Sequence, residues 1–299
     1  MMVQREAIGP APGDTPSISI ILPARNEGRS LRDLLPRLCE AQPGAEIIIV
    51  DDASTDDTAM VAQLNRVHRV MHPYNMGNGA AIKSGARAAN GEILVFLDAD
   101  GQHEPGDIPR LLAKLGEGYE MVVGARSSES QANVGRSIAN RLYNIAASWM
   151  VGHQVQDLTS GFRAVRSKPF IKFLHLLPNG FSYPTTITMA FFRAGHPVAY
   201  IPIHAGRRQG KSHIKPLQDS LRFLLIIFKV GTLYSPLKLF FPASMLFFVT
   251  GLSYYLYTYH TVSRFTNMSA LLFIVSIVVF LIGLVSEQIT NLLYRDTEI

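Results

Sequence analysis

Residues 92–102 read EILVFLDADGQ, an apolar run that stops at acidic and turn-forming residues. Runs of this length with flanking turn residues are typical of buried β-strands. Side chains alternate across a strand, so Asp98 and Asp100 can point the same way, with Gln102 following them. Two carboxylates and an amide oxygen are hard ligands that suit Mg²⁺ or Mn²⁺. The stretch therefore predicts a strand that ends at a divalent-cation site, with a plain Asp-Gly turn as the alternative.

Similar apolar runs lie on both sides of this stretch, at 17–22 (SISIIL), 46–50 (EIIIV), 121–124 (MVVG) and 197–203 (PVAYIPI). Between them, apolar residues recur at helical spacing within 31–38 and 108–115, and 135–151 is a further predicted helix. Strands that alternate with helices predict an α/β domain on a mostly parallel sheet. Ligands of such sheets bind beyond the carboxyl ends of the strands, so the chemistry is expected just after each strand.

Acidic residues follow three of these strands, in PARNE at 23–27, DDASTD at 51–56 and DADGQ at 98–102. If the strands are neighbours, these segments converge on one crevice. Asp52 could accept hydrogen bonds from a nucleobase N–H, and Glu27 from a base or a ribose. The alternative for the second segment is a helix N-cap made by Ser54 or Thr55, and the two interpretations are compatible.

Two segments later in the chain could bind phosphate, DLTSGFR at 157–163 and RRQGKS at 207–212. Backbone amides, a hydroxyl and a guanidinium can gather around a phosphate there. The alternative is a loop with a solvated arginine, and it applies equally to Arg126. The glycine pattern NMGNG at 75–79 lacks the third glycine of a dinucleotide fingerprint, and GKS at 210–212 lacks the spacing of a P-loop. Neither of these two is therefore interpreted as a dinucleotide fingerprint or a P-loop.

The C-terminal region is predicted to cross a membrane. Only 17% of the 299 residues are charged, and none lies between Lys238 and Arg264 or between Arg264 and Glu287. A helix needs roughly 20 apolar residues to span the hydrocarbon core, so spans are expected at about 239–259 and 268–286. Together they form a hairpin that returns both termini to one side. Lys238 and Glu287 should fall at the same level, and we expect them to form an ion pair.

The formal net charge of +5 is concentrated between 207 and 229, immediately before the first span. This placement fits the positive-inside rule and attraction to anionic lipid headgroups. Nucleic-acid binding is not expected, because the patch adjoins a span and has no recognition motif. Residues 1–16 lack the apolar run of a signal peptide, so the main domain and both termini are expected on the cytoplasmic side.

The ordered motifs PARNE, VDDASTDDT, DADGQ, GAR, DLTSGFR and R-x-x-G-x-S resemble the family 2 glycosyltransferases of the GT-A fold. In particular they resemble the branch of dolichol-phosphate mannose synthase and the bacterial polyprenyl-phosphate glycosyltransferases. The resemblance covers roughly 17–215. It implies a GT-A catalytic domain at 17–214. Composition and the two uncharged runs add a flexible tail at 1–16, an amphipathic interfacial segment at 215–236, a transmembrane hairpin at 237–292 and a tail at 293–299.

The resemblance also implies a role for each motif residue. The nucleotide would be bound by Pro23, Arg25, Glu27, Val50, Asp52 and Ala99. The metal, Mg²⁺ or Mn²⁺, would be held by Asp98, Asp100 and Gln102. Donor or acceptor phosphates would be bound by Arg126, Ser160, Arg163, Arg207 and Lys211, and the catalytic set would be Asp98, Asp100, Arg126 and Arg163. One departure is His213, which stands where relatives commonly carry lysine; Lys211 and Lys215 are the candidates to replace it.

The activity implied is an inverting, metal-dependent transfer of a sugar from a nucleotide-diphosphate donor to a polyprenyl phosphate at the bilayer. One alternative is a membrane glycosyltransferase with a hydroxyl acceptor, although its Q-x-x-R-W motif is absent and Trp149 is the only tryptophan. A second is a non-catalytic scaffold that binds nucleotide sugars. Association of the chain with a second copy of itself is left open.

Overall fold

The computed structural model describes residues 17–65, 67–126, 134–180, 182–204, 228 and 231–295. Several predictions concern residues outside these ranges. They are the tail at 1–16, most of the interfacial segment at 215–236, and the predicted roles of Arg207, Lys211, His213 and Lys215.

The described chain alternates strands and helices before it ends in two long helices. The strands are β1 (Ile18–Ala24), β2 (Glu46–Asp51), β3 (His68–Met71), β4 (Ile93–Phe96), β5 (Met121–Arg126), β6 (Arg163–Arg166) and β7 (Val198–Ile203). The helices are α1 (Gly28–Ala41), α2 (Thr58–Leu64), α3 (Asn78–Ala88), α4 (Ile108–Gly116), α5 (Val134–Val151), α6 (Ser167–Lys172), α7 (Tyr183–Arg193), α8 (Pro236–Val262) and α9 (Asn267–Arg295). Short 3₁₀ turns, Pro105–Asp107 and Leu174–Leu176, precede α4 and follow α6.

The seven strands form one sheet in the order β3-β2-β1-β4-β6-β5-β7. Every pairing is parallel except those of β6, which runs antiparallel to both β4 and β5. The mostly parallel α/β sheet is confirmed, and the five predicted strands are β1, β2, β4, β5 and β7. Sequence reasoning missed β3 and β6, because these four-residue strands (HRVM and RAVR) carry too few apolar residues to stand out.

The core consists of two apolar layers, one on each face of the sheet. In β1, Ile20 and Leu22 belong to the layer that α1 and α4 cover, whereas Ile21 belongs to the layer under α3 and α7. The two layers follow from the alternation of side chains along a strand. α3 lies especially close to the sheet at Gly85, where a Cβ would be 2.4 Å from Cγ2 of Ile21.

Helices α8 and α9 are long and apolar enough to cross a membrane, and they contain the two predicted spans. Small residues recur every seven positions where the two helices meet. These buried residues are Ser244, Gly251 and Thr258 on α8 and Ser269, Ser276, Gly283 and Thr290 on α9; we call them the small-residue seam. Small side chains let helix backbones approach closely in a bilayer. At the seam, the hydroxyls of Ser244 and Ser276 each donate to the other's carbonyl oxygen at 3.0 Å.

The expected ion pair between Lys238 and Glu287 is wrong. Lys238 Nζ instead donates to the carbonyl of Met150 at 2.9 Å, and Glu287 pairs with Arg193 of α7 at 3.0 Å. Glu287 does lie at the start of α8, since its Oε2 accepts from the amide of Leu237 at 3.2 Å. The level was therefore right, but both charged groups bind residues of the α/β domain, which the spacing of residues within the hairpin could not show.

Candidate active site

The residues that follow β1 and β2 lie together, as expected for neighbouring parallel strands. The amide of Asp52 donates to the carbonyl of Ala24 at 2.9 Å, and the amide of Asn26 donates to Oγ of Ser54 at 3.0 Å. In return, the side chain of Asn26 accepts from the amide of Thr55 at 2.8 Å. These cross-strand bonds fix the two segments to each other at the carboxyl edge of the sheet.

The residues predicted to bind the nucleotide lie at this edge of the sheet, and they differ in how exposed they are to solvent. Arg25 is exposed and Glu27 is half-buried, with Glu27 accepting from the hydroxyl of Ser30 at 3.2 Å. Pro23 pairs in register with Val50 across β1 and β2. The side chains of Val50 and Ala99 are buried in the core. Any contact of these two residues with a ligand would therefore be made by their backbones.

Asp52 is buried, and its carboxylate binds groups of the protein. Its carboxylate accepts from the amides of Met76 at 2.7 Å and Gly77 at 2.9 Å, and Nδ1 of His72 lies 2.8 Å from its Oδ1. Burial acts to raise the pKa of Asp52, but these hydrogen bonds outweigh it and hold the pKa below its usual value. A hydrogen bond from a nucleobase to this carboxylate stays a prediction, and it would be made by oxygens that also accept hydrogen bonds from the protein.

The glycine-rich segment at 75–79 is thus a short loop, fixed by Asp52, that leads into the first turn of α3. Gly77 has φ +98°, and a Cβ there would lie 2.6 Å from the carbonyl oxygen of Asn179. Only glycine fits this position. The glycines of this segment were visible in the sequence. A comparison with phosphate-binding motifs could not show that the segment binds the carboxylate of Asp52 in the same chain.

The candidate metal ligands follow β4 at the same edge of the sheet. Asp98 is about one-third exposed, and its carboxylate lies against the backbone of Gly161, where a Cβ would be 2.7 Å from Oδ2. Gly101, with φ +74°, turns the chain so that the amide of Gln102 donates to Oδ1 of Asp100 at 3.1 Å. Asp100 and Gln102 are half-buried.

Two partly exposed carboxylates and an amide are a donor set that suits a hard divalent cation. Within the described ranges, no group of three or more His, Cys, Asp or Glu side chains is gathered as a metal site. A cation at Asp98 and Asp100 would therefore take its remaining ligands from Gln102 and from phosphate oxygens.

Arg126, at the end of β5, is held by a residue that the sequence analysis gave no role. Asp157 accepts from Nε of Arg126 at 2.8 Å and from Nη2 at 3.0 Å, and the same Nη2 donates to Oγ1 of Thr159 at 2.6 Å. Burial acts to raise the pKa of Asp157, and the bonds and charge of Arg126 overcome it and lower that pKa. Burial likewise opposes the charge of Arg126, but Asp157, with a contribution from Asp98, keeps its pKa raised. Arg126 thus remains cationic beside the acidic strand ends.

Arg163 and Ser160 do not reach the crevice, so their predicted contacts with phosphate are corrected. Arg163 is fully buried and donates to the carbonyls of Ser160 and Pro184 and to Oγ1 of Thr188. Burial lowers its pKa. The Ser160 hydroxyl is also buried. Arg163 pairs in register with Phe96 and Val123, whose side chains belong to the layer under α3 and α7. Its own side chain therefore lies on the face that α7 covers, where it ties α7 to the loop at 157–161.

Comparison with known proteins agrees with this architecture. Residues 19–174 match the family described as Glycosyl transferase family 2, and residues 235–292 match the GtrB C-terminal hairpin. The undecaprenyl-phosphate 4-deoxy-4-formamido-L-arabinose transferase of Pseudomonas savastanoi pv. phaseolicola is 31% identical over 234 residues, which cover 74% of this chain and 67% of that protein. Glycosyltransferase AglJ of Haloferax volcanii is 25% identical over 291 residues, which cover 92% of this chain and 94% of that protein.

Among solved structures, the glucosyl-3-phosphoglycerate synthase of Mycobacterium tuberculosis, in complex with Mn²⁺, UDP and phosphoglyceric acid, is similar with a TM-score of 0.58 at 23% identity. The match covers 72% of this chain and 77% of that one, and it shows the shared GT-A fold. With its acidic strand ends, its mostly parallel sheet and its C-terminal hairpin, the chain belongs to glycosyltransferase family 2 and is a glycosyltransferase.

Proposed function

We propose that the protein transfers a sugar from a nucleotide-diphosphate sugar to a polyprenyl phosphate and forms a polyprenyl-monophosphate sugar. The observation that carries the proposal is that the hairpin is bonded directly to the catalytic domain, through Arg193 of α7 and Glu287 of α9. A water-soluble donor and a membrane-embedded acceptor can thus meet on one molecule. The names of relatives that act on undecaprenyl phosphate support this acceptor.

The donor diphosphate is assigned to the crevice beyond β1, β2 and β4, with its nucleotide toward Pro23, Arg25 and Glu27. Asp98, Asp100 and Gln102 would hold Mg²⁺ or Mn²⁺ there. When bound, such a cation neutralises diphosphate charge and stabilises the leaving nucleoside diphosphate. The synthase of the same fold was solved with Mn²⁺ or Mg²⁺ together with UDP, which supports this assignment.

Arg126 is assigned to the anionic groups that meet in the crevice. Its side chain is 23% exposed, and Asp157 and Thr159 fix the direction of its guanidinium. A fixed cation at this place offsets the repulsion between the acceptor phosphate, the donor diphosphate and the carboxylate of Asp98. A guanidinium that is already oriented loses little entropy when it binds a phosphate.

The reaction needs no protein base. A phosphate monoester has a second pKa of about 6, so the acceptor oxygen is already an anion at neutral pH. That oxygen attacks the anomeric carbon as the bond from this carbon to the diphosphate oxygen breaks. In-line displacement inverts the anomeric configuration, and the nucleoside diphosphate leaves. By contrast, transfer to a hydroxyl group would require a side chain to accept the proton.

We place the catalytic domain and both termini on the cytoplasmic side. Two spans return the chain to the side from which it started, and the basic residues at 207–229 precede the first span, as the positive-inside rule requires. The division into a catalytic domain at 17–214 and a hairpin at 237–292 belongs to the same proposal.

The proposal is tested by incubating the purified full chain with Mn²⁺, undecaprenyl phosphate and a panel of UDP- and GDP-sugars, and analysing the lipid products by mass spectrometry. We expect one lipid-monophosphate sugar. Asp100→Ala should reduce its formation at least about a hundredfold. Asp33→Ala, which removes an exposed carboxylate of α1, should leave the rate unchanged.

A diphosphate-linked product, or transfer to a hydroxyl group, would refute the proposed acceptor chemistry. Full activity of Asp100→Ala, or of the wild type in excess chelator, would refute the assigned cation. No sugar transfer with any donor, together with retained nucleotide-sugar binding, would favour the scaffold instead.

A further inference from the structure

His103 follows the predicted ligand Gln102 and has a buried side chain, which is 4% exposed. Its ring stacks on Phe162, with 5.1 Å between the ring centroids and 26° between the ring planes. Nδ1 is buried and makes no hydrogen bond with any residue of the described ranges. Burying a ring nitrogen without a partner costs free energy, and a phenylalanine could stack on Phe162 without that cost. Packing alone therefore does not account for a histidine at this position.

The other ring nitrogen of His103 faces the candidate metal ligand Asp98. Nε2 lies 3.8 Å from Oδ2 of Asp98. This distance is longer than a hydrogen bond, but an N–H dipole still attracts a carboxylate at this range where little water screens it. The side chain of Asp98 is 36% exposed, whereas that of His103 is buried. The ring therefore approaches the carboxylate from the protein side rather than from the crevice.

Gly161 brings the backbone close to the same carboxylate. A Cβ at Gly161 would lie 2.7 Å from Oδ2 and 3.0 Å from Oδ1 of Asp98. A larger residue would push the carboxylate out of its present place, because non-bonded carbon and oxygen atoms do not approach so closely. The orientation of Asp98 therefore depends on two neighbours, the backbone of Gly161 and the ring of His103.

The segment that carries Gly161 and Phe162 is itself held by two elements of the domain. The hydroxyl of Tyr183, at the start of α7, donates to the carbonyl of Gly161 at 3.1 Å. The amide of Gly124, in β5, donates to the carbonyl of Phe162 at 2.9 Å. Phe162 is fully buried. The ring on which His103 rests is therefore fixed by the fold.

We propose that His103 is a positioning residue, which holds the carboxylate of Asp98 in the orientation that binds a divalent cation. The inference rests on the cation site of the proposed function. Nε2 carries the ring proton and directs it at Oδ2 of Asp98, while the ring itself does not touch the cation. Groups that orient a metal ligand from behind typically contribute ten- to a hundredfold to metal affinity. This role accounts for a polar ring in a buried place.

The proposal is tested by metal binding, without any sugar transfer. The full chain in detergent is titrated with Mn²⁺ in the presence of UDP and, separately, of GDP, and free Mn²⁺ is measured by electron paramagnetic resonance. His103→Phe keeps a ring on Phe162 but removes Nε2, and it should weaken Mn²⁺ binding about tenfold. His103→Gln places an amide N–H near the position of Nε2 and should restore most of the affinity. His103→Asn, whose amide lies near the position of Nδ1, should bind as weakly as His103→Phe.

A second variant does not alter His103. Gly161→Ala should also weaken Mn²⁺ binding, because the added methyl group displaces the carboxylate of Asp98. The matched control is His196→Phe. His196 also packs on phenylalanine rings, those of Phe173 and Phe191, but it precedes β7 and so lies at the opposite edge of the sheet. This control should leave the affinity for Mn²⁺ unchanged.

Wild-type affinity in His103→Phe would overturn the role of His103 and leave the proposed function intact. A His103→Gln variant that binds Mn²⁺ no better than His103→Phe would show that the ring only packs, and it would overturn the role as well. Direct coupling of a histidine nitrogen to bound Mn²⁺ in electron spin echo spectra would overturn it in favour of a ligand. If the wild type bound no Mn²⁺ with either nucleotide, the cation site of the proposed function would fail together with this inference.

Discussion

The carboxylate of Asp157 accepts hydrogen bonds from several groups at once. Besides the guanidinium of Arg126, its carboxylate accepts from the amides of Thr159 and Ser160, both at 3.1 Å. Its side chain is only 8% exposed. A buried carboxylate with this many donors holds two segments together, the end of β5 and the loop before β6.

Asp157→Asn is expected to destabilise the protein by about 2–3 kcal/mol, because it leaves Arg126 partly buried without its counter-charge. The rate of sugar transfer should fall as well, since the guanidinium loses its fixed direction. Urea unfolding in detergent, followed by Trp149 fluorescence, measures the first effect. Glu117→Gln, which removes an exposed ion pair with Lys114, is the control and should not shift the midpoint.

The lowered pKa of Asp157 predicts how the stability of the protein changes with pH. The pKa of Asp157 is lower in the folded protein than the value of about 3.9 expected after unfolding. The ionised carboxylate of Asp157 therefore stabilises the folded protein fully when the pH is above the pKa of the unfolded state. This stabilisation is lost as the pH falls through the pKa of the folded state. The stability difference between wild type and Asp157→Asn should shrink below about pH 4. A difference that stays constant into that range would contradict the assignment.

At the scale of elements, the hairpin depends on close backbone contact rather than on large apolar side chains. At Gly283, a Cβ would lie 2.8 Å from Cβ of Phe240, and at Gly251 it would lie 3.1 Å from Cβ of Leu272. Lipid tails are as apolar as leucine, so helices in a bilayer gain little from burying leucine and more from tight packing. The small-residue seam supplies that packing along most of both helices.

Gly283→Leu is expected to force α8 and α9 apart and to cost about 1–3 kcal/mol, because the added side chain overpacks the seam. Thermal unfolding in detergent measures the loss. Ile282→Leu is the matched control, since it introduces a leucine at the adjacent position, which is 48% exposed. Equal melting temperatures for the two variants would mean that the seam is not tightly packed.

At the scale of the molecule, Arg193 joins the catalytic domain to the membrane hairpin. It pairs with Glu287, donates to Oδ1 of Asn291 at 2.7 Å and to the carbonyl of Tyr234, and lies over the ring of Tyr294 at 5.5 Å. These contacts explain why α9 continues to Arg295, past the predicted end of the span at 286. One side of the last turns of α9 therefore packs on protein, with Thr290 and Tyr294 buried, whereas Ile289 and Leu292 are exposed.

A double-mutant cycle of Arg193→Ala and Glu287→Ala is expected to show a coupling free energy of about 1–2 kcal/mol, because both side chains are largely buried and in contact. Unfolding in detergent provides the four free energies. The control cycle, Lys238→Ala with Glu287→Ala, should show no coupling, since Lys238 donates to backbone carbonyls instead. If only the control cycle showed coupling, the pairing seen in the structure would be refuted.

The sequence alone determined the elements whose signal is local. β1, β2, β4, β5 and β7 were predictable because strands buried on both faces must be apolar along their length. The hairpin was predictable because an uncharged run of more than 20 residues has few uses outside a membrane or a large core. The acidic strand ends were predictable as a group because parallel neighbours end at the same edge of a sheet.

Only the tertiary structure decided which side chains face the crevice and which hold the fold. Arg163 and Arg126 occur in similar glycine-containing motifs, yet the register of β6 buries the first in the layer under α7, and Asp157 holds the second at the site. Asp52 and Glu287 likewise found partners, His72 and Arg193, on distant segments of the chain. The physical reason is that a charge is satisfied by whatever group the folded chain brings beside it, and strand direction and register, which determine that group, leave no mark in the local pattern of residues.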